Sequence, residues 1–170
     1  MKSAIINFLK PKVTENYLFD SEFEELGLQL KAKINHMFGR SLAIRAVDSG
    51  SDNSPEIELV NLTAPHYDIE RFGITFVASP RHADVLIVTG AVTLNMAIAV
   101  VKTYEATPEP KFVIALGDDA CDGGIFKESY AVVGGVDKII PVDLKIYGNP
   151  PTPKEILKGL LTLMSSSQHL

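Results

Sequence analysis

Hydrophobic residues beyond position 41 fall into short runs that alternate with longer helical segments. The runs are rich in Val and Ile and are bounded by Gly and Pro, which is typical of strands buried on both faces of a parallel sheet. Regular alternation of such strands with helices predicts an α/β fold, in which helices flank a parallel sheet. The five predicted strands cover residues 42–47, 74–79, 85–89, 112–116 and 139–144.

An amphipathic helix is predicted ahead of the first strand, over residues 21–38. Ser21 and Glu24 have the spacing of a capping box, and Gly39 follows where a helix C-terminus favours glycine. The apolar stripe of this helix has two interpretations: it packs on its own domain, or it contacts a partner or membrane-protein surface. The residues of the stripe recur at helical spacing; they are Phe23, Leu26, Leu30, Ile34, Met37 and Phe38.

The final helix is predicted to open with a second capping box, formed by Thr152 and Glu155, with Pro153 in its first turn. Another helix is predicted over residues 94–104. The pattern divides the chain into an N-terminal extension with an amphipathic helix (residues 1–40), an α/β domain (residues 41–165) and a tail (residues 166–170). The side chains of the final helix that we expect to face inward are Ile156, Leu157, Leu160, Leu161 and Met164.

Three loops rich in glycine and polar residues each follow an apolar run. They lie around Gly50, over residues 117–124 and over residues 147–151. Because the carboxyl ends of parallel strands share one edge of a sheet, we expect the three loops to gather there, where α/β proteins bind ligands. After the first loop a helix is predicted to begin with Ser54 as its cap, Pro55 at its first position and Glu56 in its first turn.

Composition excludes several classes of partner and of binding site. The 170 residues fit one domain, and a net charge of −5 argues against a nucleic-acid partner, which requires clustered Lys and Arg. The single cysteine, Cys121, rules out a disulfide framework and a cysteine-based zinc site within one chain. Residues 85–101 are uncharged but fall short of the roughly 20 apolar residues of a membrane span. We expect no signal peptide, since Lys10 and Pro11 interrupt the first apolar run.

The three loops carry a family resemblance, together with residues 67–73, 79–93, 108–111 and 140–153. They resemble the small, electron-transferring subunit of energy-converting nickel–iron hydrogenases of the formate hydrogenlyase and hydrogenase-4 type. That subunit is homologous to the 20 kDa subunit of NADH:quinone oxidoreductase (complex I). The resemblance runs from about residue 38 to residue 161, and it implies a flavodoxin-like sheet. It also implies a four-iron, four-sulfur cluster held by four cysteines in the three loops.

None of the four cluster cysteines is present in this chain. The matching positions are Asp52, Pro55, Asp119 and Asn149. Such clusters are held by thiolates, with an occasional histidine, and the loops contain no histidine. Cys121, two residues beyond the third position, would supply at most one ligand, so we expect no cofactor and no catalytic residue. Further residues expected to line the altered site are Gly50, Ser51, Asn53, Glu56, Cys121 and Pro150.

Two interpretations of the altered site remain open. Asp52, Asp119 and Asn149 offer oxygen ligands that suit a hard cation such as Mg²⁺ or Ca²⁺. In the alternative, the same side chains replace the cluster with hydrogen bonds, as Asp and Asn commonly do in turns. A flavin or nucleotide site is only weakly indicated, because no Gly-x-Gly-x-x-Gly or Walker A spacing is present. Cys121 has no neighbouring base in sequence to activate it as a nucleophile.

The sequence therefore predicts a cluster-free relative of the hydrogenase and complex I small subunits, acting as a structural or docking subunit of a membrane-associated oxidoreductase complex. The alternative is a redox-active oxidoreductase subunit that uses a partner's cofactor, a hard cation or a flavin. The resemblance implies a large-subunit homologue as partner, with membrane-arm subunits as further candidates. It also implies a cytoplasmic chain that is peripheral on the inner face of the cytoplasmic membrane through its partners. The face that carries the three loops around Gly50, 117–124 and 147–151, called the loop face, is predicted to bind protein.

Overall fold

A parallel sheet forms the centre of the computed structural model, which describes residues 20–166. The strands are β1 (Leu42–Asp48), β2 (Ile74–Phe76), β3 (Val85–Thr89), β4 (Val92–Thr93), β5 (Phe112–Leu116), β6 (Val132–Gly134) and β7 (Leu144–Ile146). Five of them pair in parallel in the order β2-β1-β3-β5-β7, and β4 and β6 form a separate antiparallel ribbon. This is the flavodoxin-like strand order, so the predicted fold class is confirmed.

Helices cover both faces of the sheet, but unequally. They are α1 (Ser21–Phe38), α2 (Ser54–Thr63), α3 (Leu94–Ala106), α4 (Asp118–Asp122) and α5 (Pro153–Ser166). The three-helix face carries α1, α2 and α5, whose buried Leu, Ile and Met side chains share one core cluster with the sheet. The α3 face carries α3 and the short α4, whose buried side chains belong to a second cluster. No helix within residues 20–166 is long and apolar enough to cross a membrane.

Helix α1 packs on its own domain. Phe23, Leu30 and Ile34 are buried in the core of the three-helix face, and the other stripe residues are half-buried against it. The predicted capping box is wrong, because the cap is Asp20: its Oδ1 accepts a hydrogen bond from Phe23 N at 3.2 Å. Gly39 ends the helix in the left-handed conformation, as predicted. Residues 1–19 of the predicted extension and residues 167–170 of the predicted tail lie outside the described residues.

Helix α5 begins with the predicted capping box. Thr152 N donates to Glu155 Oε2 at 2.7 Å, and Glu155 N donates to Thr152 Oγ1 at 3.3 Å. This reciprocal pair satisfies backbone donors that the first turn of a helix leaves unpaired. Four of the five predicted inward residues are buried and Leu161 is half-buried, while Leu163 is an additional buried residue.

The last strand of the sheet is displaced from its predicted position. The prediction covered residues 139–144, whereas β7 is Leu144–Ile146. Ile140 is buried, but it lies in a loop on the α3 face, next to the turn Val136–Lys138. Pro141 follows it and has no N–H to donate to a strand ladder. Burial in a loop therefore produced the same apolar pattern as burial in a strand.

Candidate functional site

The three loops meet at the carboxyl edge of the sheet, after β1, β5 and β7. The first loop rests on the backbone beyond β3: Ser49 Oγ donates to the carbonyl oxygens of Thr89 and Gly90, at 2.8 Å each. Gly90 has a φ of +74°, and an added Cβ would lie 2.2 Å from Ser51 N. Only glycine allows this close approach. The sequence thus fixes the first loop against the middle of the sheet edge.

One small cleft is lined by all four positions that match the cluster ligands. The cleft is about 10 Å³ in volume, which is roughly the room that a single water molecule needs. Of the other predicted lining residues, only Ser51 borders it. The residues lining the cleft are Ser51, Asp52, Ser54, Pro55, Gly90, Leu116, Gly117, Asp118, Asp119, Gly148 and Asn149.

Ser54 organises one side of the cleft. Its backbone N–H and its hydroxyl both donate to Asp52 Oδ1, at 2.9 and 2.6 Å, and the same hydroxyl oxygen lies 3.3 Å from Asn149 Oδ1. The hydroxyl of Ser54, followed by its backbone N–H, lowers the pKa of Asp52. The predicted helix start is wrong by one residue: Asn53, at φ 73°, is the cap, and Ser54 is the first helical residue.

The other side of the cleft is acidic. Asp118 Oδ1 accepts a hydrogen bond from Gly148 N at 2.9 Å, which joins the second loop to the third. The pKa of Asp119 is raised, first by its burial and then by the negative charges of Asp52, Asp118 and Asp122. A carboxyl that is perturbed in this way lies close to other carboxylates without a compensating cation.

Cys121 points away from the cleft. Its side chain is fully buried in α4, with Sγ 3.5 Å from the carbonyl oxygens of Ala115 and Ile146. Burial raises the pKa of the thiol to about 12. Since the thiolate is the nucleophile, burial leaves this thiol without nucleophilic reactivity at neutral pH.

Glu56 also turns away from the cleft and into the fold. Its carboxylate accepts hydrogen bonds from Ser51 Oγ at 2.7 Å and from the hydroxyl of the buried Thr89. It therefore links the first loop to β3. Gly50 packs on Thr93, and Asn53 and Pro150 are exposed beside the cleft.

A cluster does not fit the residues at these positions. Two carboxylates, an amide and a proline offer no thiolate, whereas such clusters need several. A hard cation is poorly served as well, because Asp52 Oδ1 already accepts two hydrogen bonds from Ser54. Within residues 20–166 no group of three or more His, Cys, Asp or Glu side chains is arranged to hold a metal ion.

Sequence reasoning missed Ser54 and Asp118 as lining residues. The sequence does contain a signal for Ser54, because an aspartate commonly accepts a hydrogen bond from the backbone N–H two residues ahead, as Asp52 does here. The bond from Gly148 N to Asp118 joins residues 30 positions apart, and no local pattern reports it.

A flavodoxin-like sheet with three loops that converge on one cleft at its carboxyl edge defines a class of small α/β subunits whose ligand site lies at that edge. The chain belongs to the family described as NADH ubiquinone oxidoreductase, 20 Kd subunit, whose model matches residues 53–163. The predicted resemblance is confirmed.

Similar proteins include subunits of membrane-bound complexes. An uncharacterized protein of Methanocaldococcus jannaschii is 54% identical over 122 residues, which cover 72% of this chain and 82% of that protein. Formate hydrogenlyase subunit 7 of Escherichia coli is 41% identical over 153 residues, which cover 90% of this chain and 60% of that subunit. A subunit in the structure of an archaeal membrane-bound sulfane sulfur reductase superposes with a TM-score of 0.69 and 35% identity, over 80% of this chain and 75% of that one.

Proposed function

We propose that the chain is a cluster-free docking subunit of a membrane-associated oxidoreductase complex, in which it binds a large-subunit homologue through its three carboxyl-edge loops. One observation carries the proposal. All four positions that match the cluster ligands line the same cleft, and they are Asp52, Pro55, Asp119 and Asn149. The loops thus keep the arrangement of the family's site without the side chains that would hold its cluster.

Hydrogen bonds support the loops in place of a metal group. Ser54 donates two hydrogen bonds to Asp52 within the first loop, and Asp118 accepts one from Gly148 N, which joins the second loop to the third. Each bond adds roughly 0.5–1.5 kcal/mol to the stability of a fold when it is well formed. A loop cluster of this kind keeps its shape without a cofactor, and shape is what docking requires.

Exposed apolar side chains near the loops support a docking role. Ile125, which directly follows the second loop's glycine pair, is 86% exposed, and its neighbour Phe126 is 43% exposed. Large exposed apolar side chains that are grouped together are typical of protein-binding sites. Tyr147, at the start of the third loop, adds a further exposed aromatic ring.

The same proposal covers the organisation and location of the chain. Residues 41–165 form the docking α/β domain, residues 1–40 are an N-terminal extension that adds α1 to it, and residues 166–170 are a tail. Attachment is peripheral, on the inner face of the cytoplasmic membrane, and runs through the large-subunit homologue and membrane-arm subunits. The membrane-bound sulfane sulfur reductase supports an assembly of this kind.

The first experiment asks whether the chain holds a cluster. We expect less than about 0.1 iron and 0.1 acid-labile sulfide per chain after anaerobic purification, because the loops supply no thiolate. Colorimetric iron and sulfide assays on the folded protein measure this. About four of each per chain would overturn the cluster-free proposal and favour the redox-active alternative.

The second experiment asks where the large-subunit homologue binds. Ile125→Glu and Phe126→Glu, combined in one variant, should reduce co-purification at least tenfold, since an interface core tolerates unpaired charge poorly. Leu28→Glu with Gln29→Glu, on the exposed side of α1, adds the same charge and is the matched control. Asn53 is left unchanged because its φ of 73° would strain a lysine. Undiminished co-purification of the folded double variant would show that docking occurs elsewhere.

A further inference from the structure

Helix α3 presents more apolar surface than its own sheet covers. Its first eight residues, 94–101, carry no charge. Yet Val100 is its only fully buried residue, whereas six residues of α5 are buried. Leu94 is 57% exposed and Ile98 is 66% exposed. A helix that is apolar on its outer side is normally covered by another element, and within residues 20–166 none covers this one.

Three exposed residues and the half-buried Val101 form a seam along one side of α3. Leu94, Ile98, Val101 and Glu105 follow one another at intervals of four, three and four residues, which is the a/d spacing of helices that pack side by side. The seam is roughly 16 Å long at 1.5 Å per residue. A shallow depression of about 370 Å³ runs along it, lined by Ala97, Ile98, Val101, Lys102 and Glu105. The seam is as long as about three turns of a second helix.

The seam continues towards the antiparallel ribbon. Leu94 N donates to Ala131 O at 2.9 Å, which brings the start of α3 beside the residue that follows Tyr130. Tyr130 is 96% exposed. Tyrosine is a frequent anchor in protein interfaces because its ring buries a large area and its hydroxyl remains hydrated. The apolar surface therefore extends past the helix itself.

Charge identifies what covers the seam. Six carboxylates lie in and around the first two loops and together carry a charge of −6 when ionised. Because the net charge of the chain is −5, all other residues together carry +1. None of the six forms an ion pair with another residue of the described range 20–166. The first loop abuts the start of α3, because an added Cβ on Gly50 would lie 2.5 Å from Thr93 Cγ2. The six residues are Asp48, Asp52, Glu56, Asp118, Asp119 and Asp122.

We propose that the outward side of α3 seats an amphipathic helix of another subunit, whose apolar stripe covers Leu94, Ile98 and Val101 and whose Lys and Arg residues lie towards the acidic loops. This surface is distinct from the loop face proposed above to bind the large-subunit homologue. Helix-in-groove packing with anchors at this spacing is a common recognition mode, and complementary charge fixes its direction.

Two other occupants fit the charges poorly. Helices that lie on a membrane surface carry Lys and Arg along their polar side, whereas α3 has Lys102 offset by Glu105 and adjoins the acidic loops. A second copy of the chain, related by a two-fold axis, would place the same patch against itself. In a parallel pairing the two acidic edges repel, and in an antiparallel pairing each acidic edge faces the C-terminal part of the other α3, where Lys102 is offset by Glu105.

The first test measures protection of the seam in the assembled complex. Ile98→Cys introduces an accessible thiol, and the wild-type chain is the blank because Cys121 is buried with a pKa of about 12. Gln29→Cys, on the exposed side of α1, is the matched control. We expect maleimide labelling of the Ile98→Cys variant to slow at least tenfold on assembly, with no change for the control. Equal labelling in the free chain and the complex would overturn the proposal.

The second test identifies the occupant. Replacing Ile98 with a photo-cross-linking phenylalanine analogue and mapping the adduct by mass spectrometry should yield a segment of another subunit with apolar residues at helical spacing and Lys or Arg beside them. A cross-link only to a second copy of the chain would overturn the proposal. So would binding of the isolated chain to phosphatidylglycerol vesicles that Ile98→Glu abolishes.

The two proposals can fail separately. If the complex forms and Ile125→Glu with Phe126→Glu disrupts it, while the Ile98→Cys variant labels equally in both states, docking through the loops stands and the α3 proposal falls. If the wild-type chain assembles with no other subunit, both fall. If the Ile98→Cys variant is protected but the loop variants assemble normally, α3 is the docking surface and the loop face is not.

Discussion

The two faces of the central sheet are covered in different ways. On the three-helix face, α1, α2 and α5 enclose a cluster of large side chains, chiefly Leu, Ile, Phe and Met. On the α3 face the cluster consists mainly of Val, Ala and the single Cys, and α3 contributes only Val100 to it as a fully buried residue. Buried apolar area is the main source of folding stability, at roughly 25 cal/mol per Å². The three-helix face therefore contributes most of the folding stability, while the α3 face keeps apolar surface exposed.

This difference separates the part of the molecule that stabilises the fold from the parts that remain exposed. The largest buried side chains lie across the sheet from α3, so we expect the fold to depend little on a ligand at the loops. We then expect substitutions at the loop edge to affect partner binding more than folding. Four predictions test this division between a face for stability and a face for association.

The largest effect is expected in the core of the three-helix face. Leu30→Ala removes a fully buried side chain of α1 and should lower the free energy of unfolding by about 2–5 kcal/mol. Ile98→Ala, on the outer side of α3, should change it by no more than about 0.5 kcal/mol, as is usual for exposed positions. Urea denaturation of both variants measures the difference. Similar losses in the two would contradict the division.

A smaller loss is expected for the residue that fixes α3 to the sheet. Val100→Ala removes two buried methyl groups and should cost about 1.5–2.5 kcal/mol in free energy of unfolding, including the cavity left behind. Val101→Ala, at the neighbouring half-buried position, is the matched control and should cost less than half as much. Equal losses for the two variants would mean that half-buried residues of α3 stabilise the fold as much as Val100 does.

Asp119 should make the α3 face slightly less stable at neutral pH. Its pKa is raised by burial and by neighbouring carboxylates, so the native state favours the protonated form, and this group's stabilising contribution is lost as the pH rises through its native pKa. Asp119→Asn should therefore raise the free energy of unfolding at pH 7 by about 0.5 kcal/mol or less. The gain should vanish as the pH falls to 3.8, the ordinary pKa of an aspartate. Urea denaturation at both pH values provides the check, and a gain that persists in acid would contradict it.

The smallest effect concerns divalent cations at the loop edge. Millimolar Mg²⁺ or Ca²⁺ should shift the midpoint of thermal unfolding by less than about 1 °C, because Asp52 Oδ1 already accepts two hydrogen bonds from Ser54 and a ligand stabilises only a state that it binds. Differential scanning fluorimetry with and without chelator measures the shift. A saturable rise with either cation would instead support the hard-cation interpretation of the altered site.

Much of the fold was predictable from local pattern. The strands β1, β3 and β5 are apolar runs bounded by Gly, Pro or polar turn residues, and the structure places them within one residue of the predicted limits. The cap of α1 was not predictable, because Asp20 and Ser21 are adjacent and both are good cap residues. Lys154 of α5 lies 2.9 Å from Asp20 Oδ2, and this tertiary ion pair, which favours the earlier residue, has no signal in the local sequence.

The site was predictable in its positions and less so in its chemistry. The carboxyl-edge rule was enough to group Asp52, Asp119 and Asn149. Helix α4 escaped prediction because five residues between glycines are too few for a helical period. The sequence therefore predicts Cys121 as a lining residue of the altered site, whereas the helix turns its thiol into the core.

The position of Cys121 has a practical consequence for handling the protein. Oxidation by peroxide or air requires a solvent-accessible thiolate, and this thiol is buried, protonated and the only one in the chain. Disulfide-linked dimers should therefore not form on storage, and purification in air without reductant should yield the same protein as purification in a glove box.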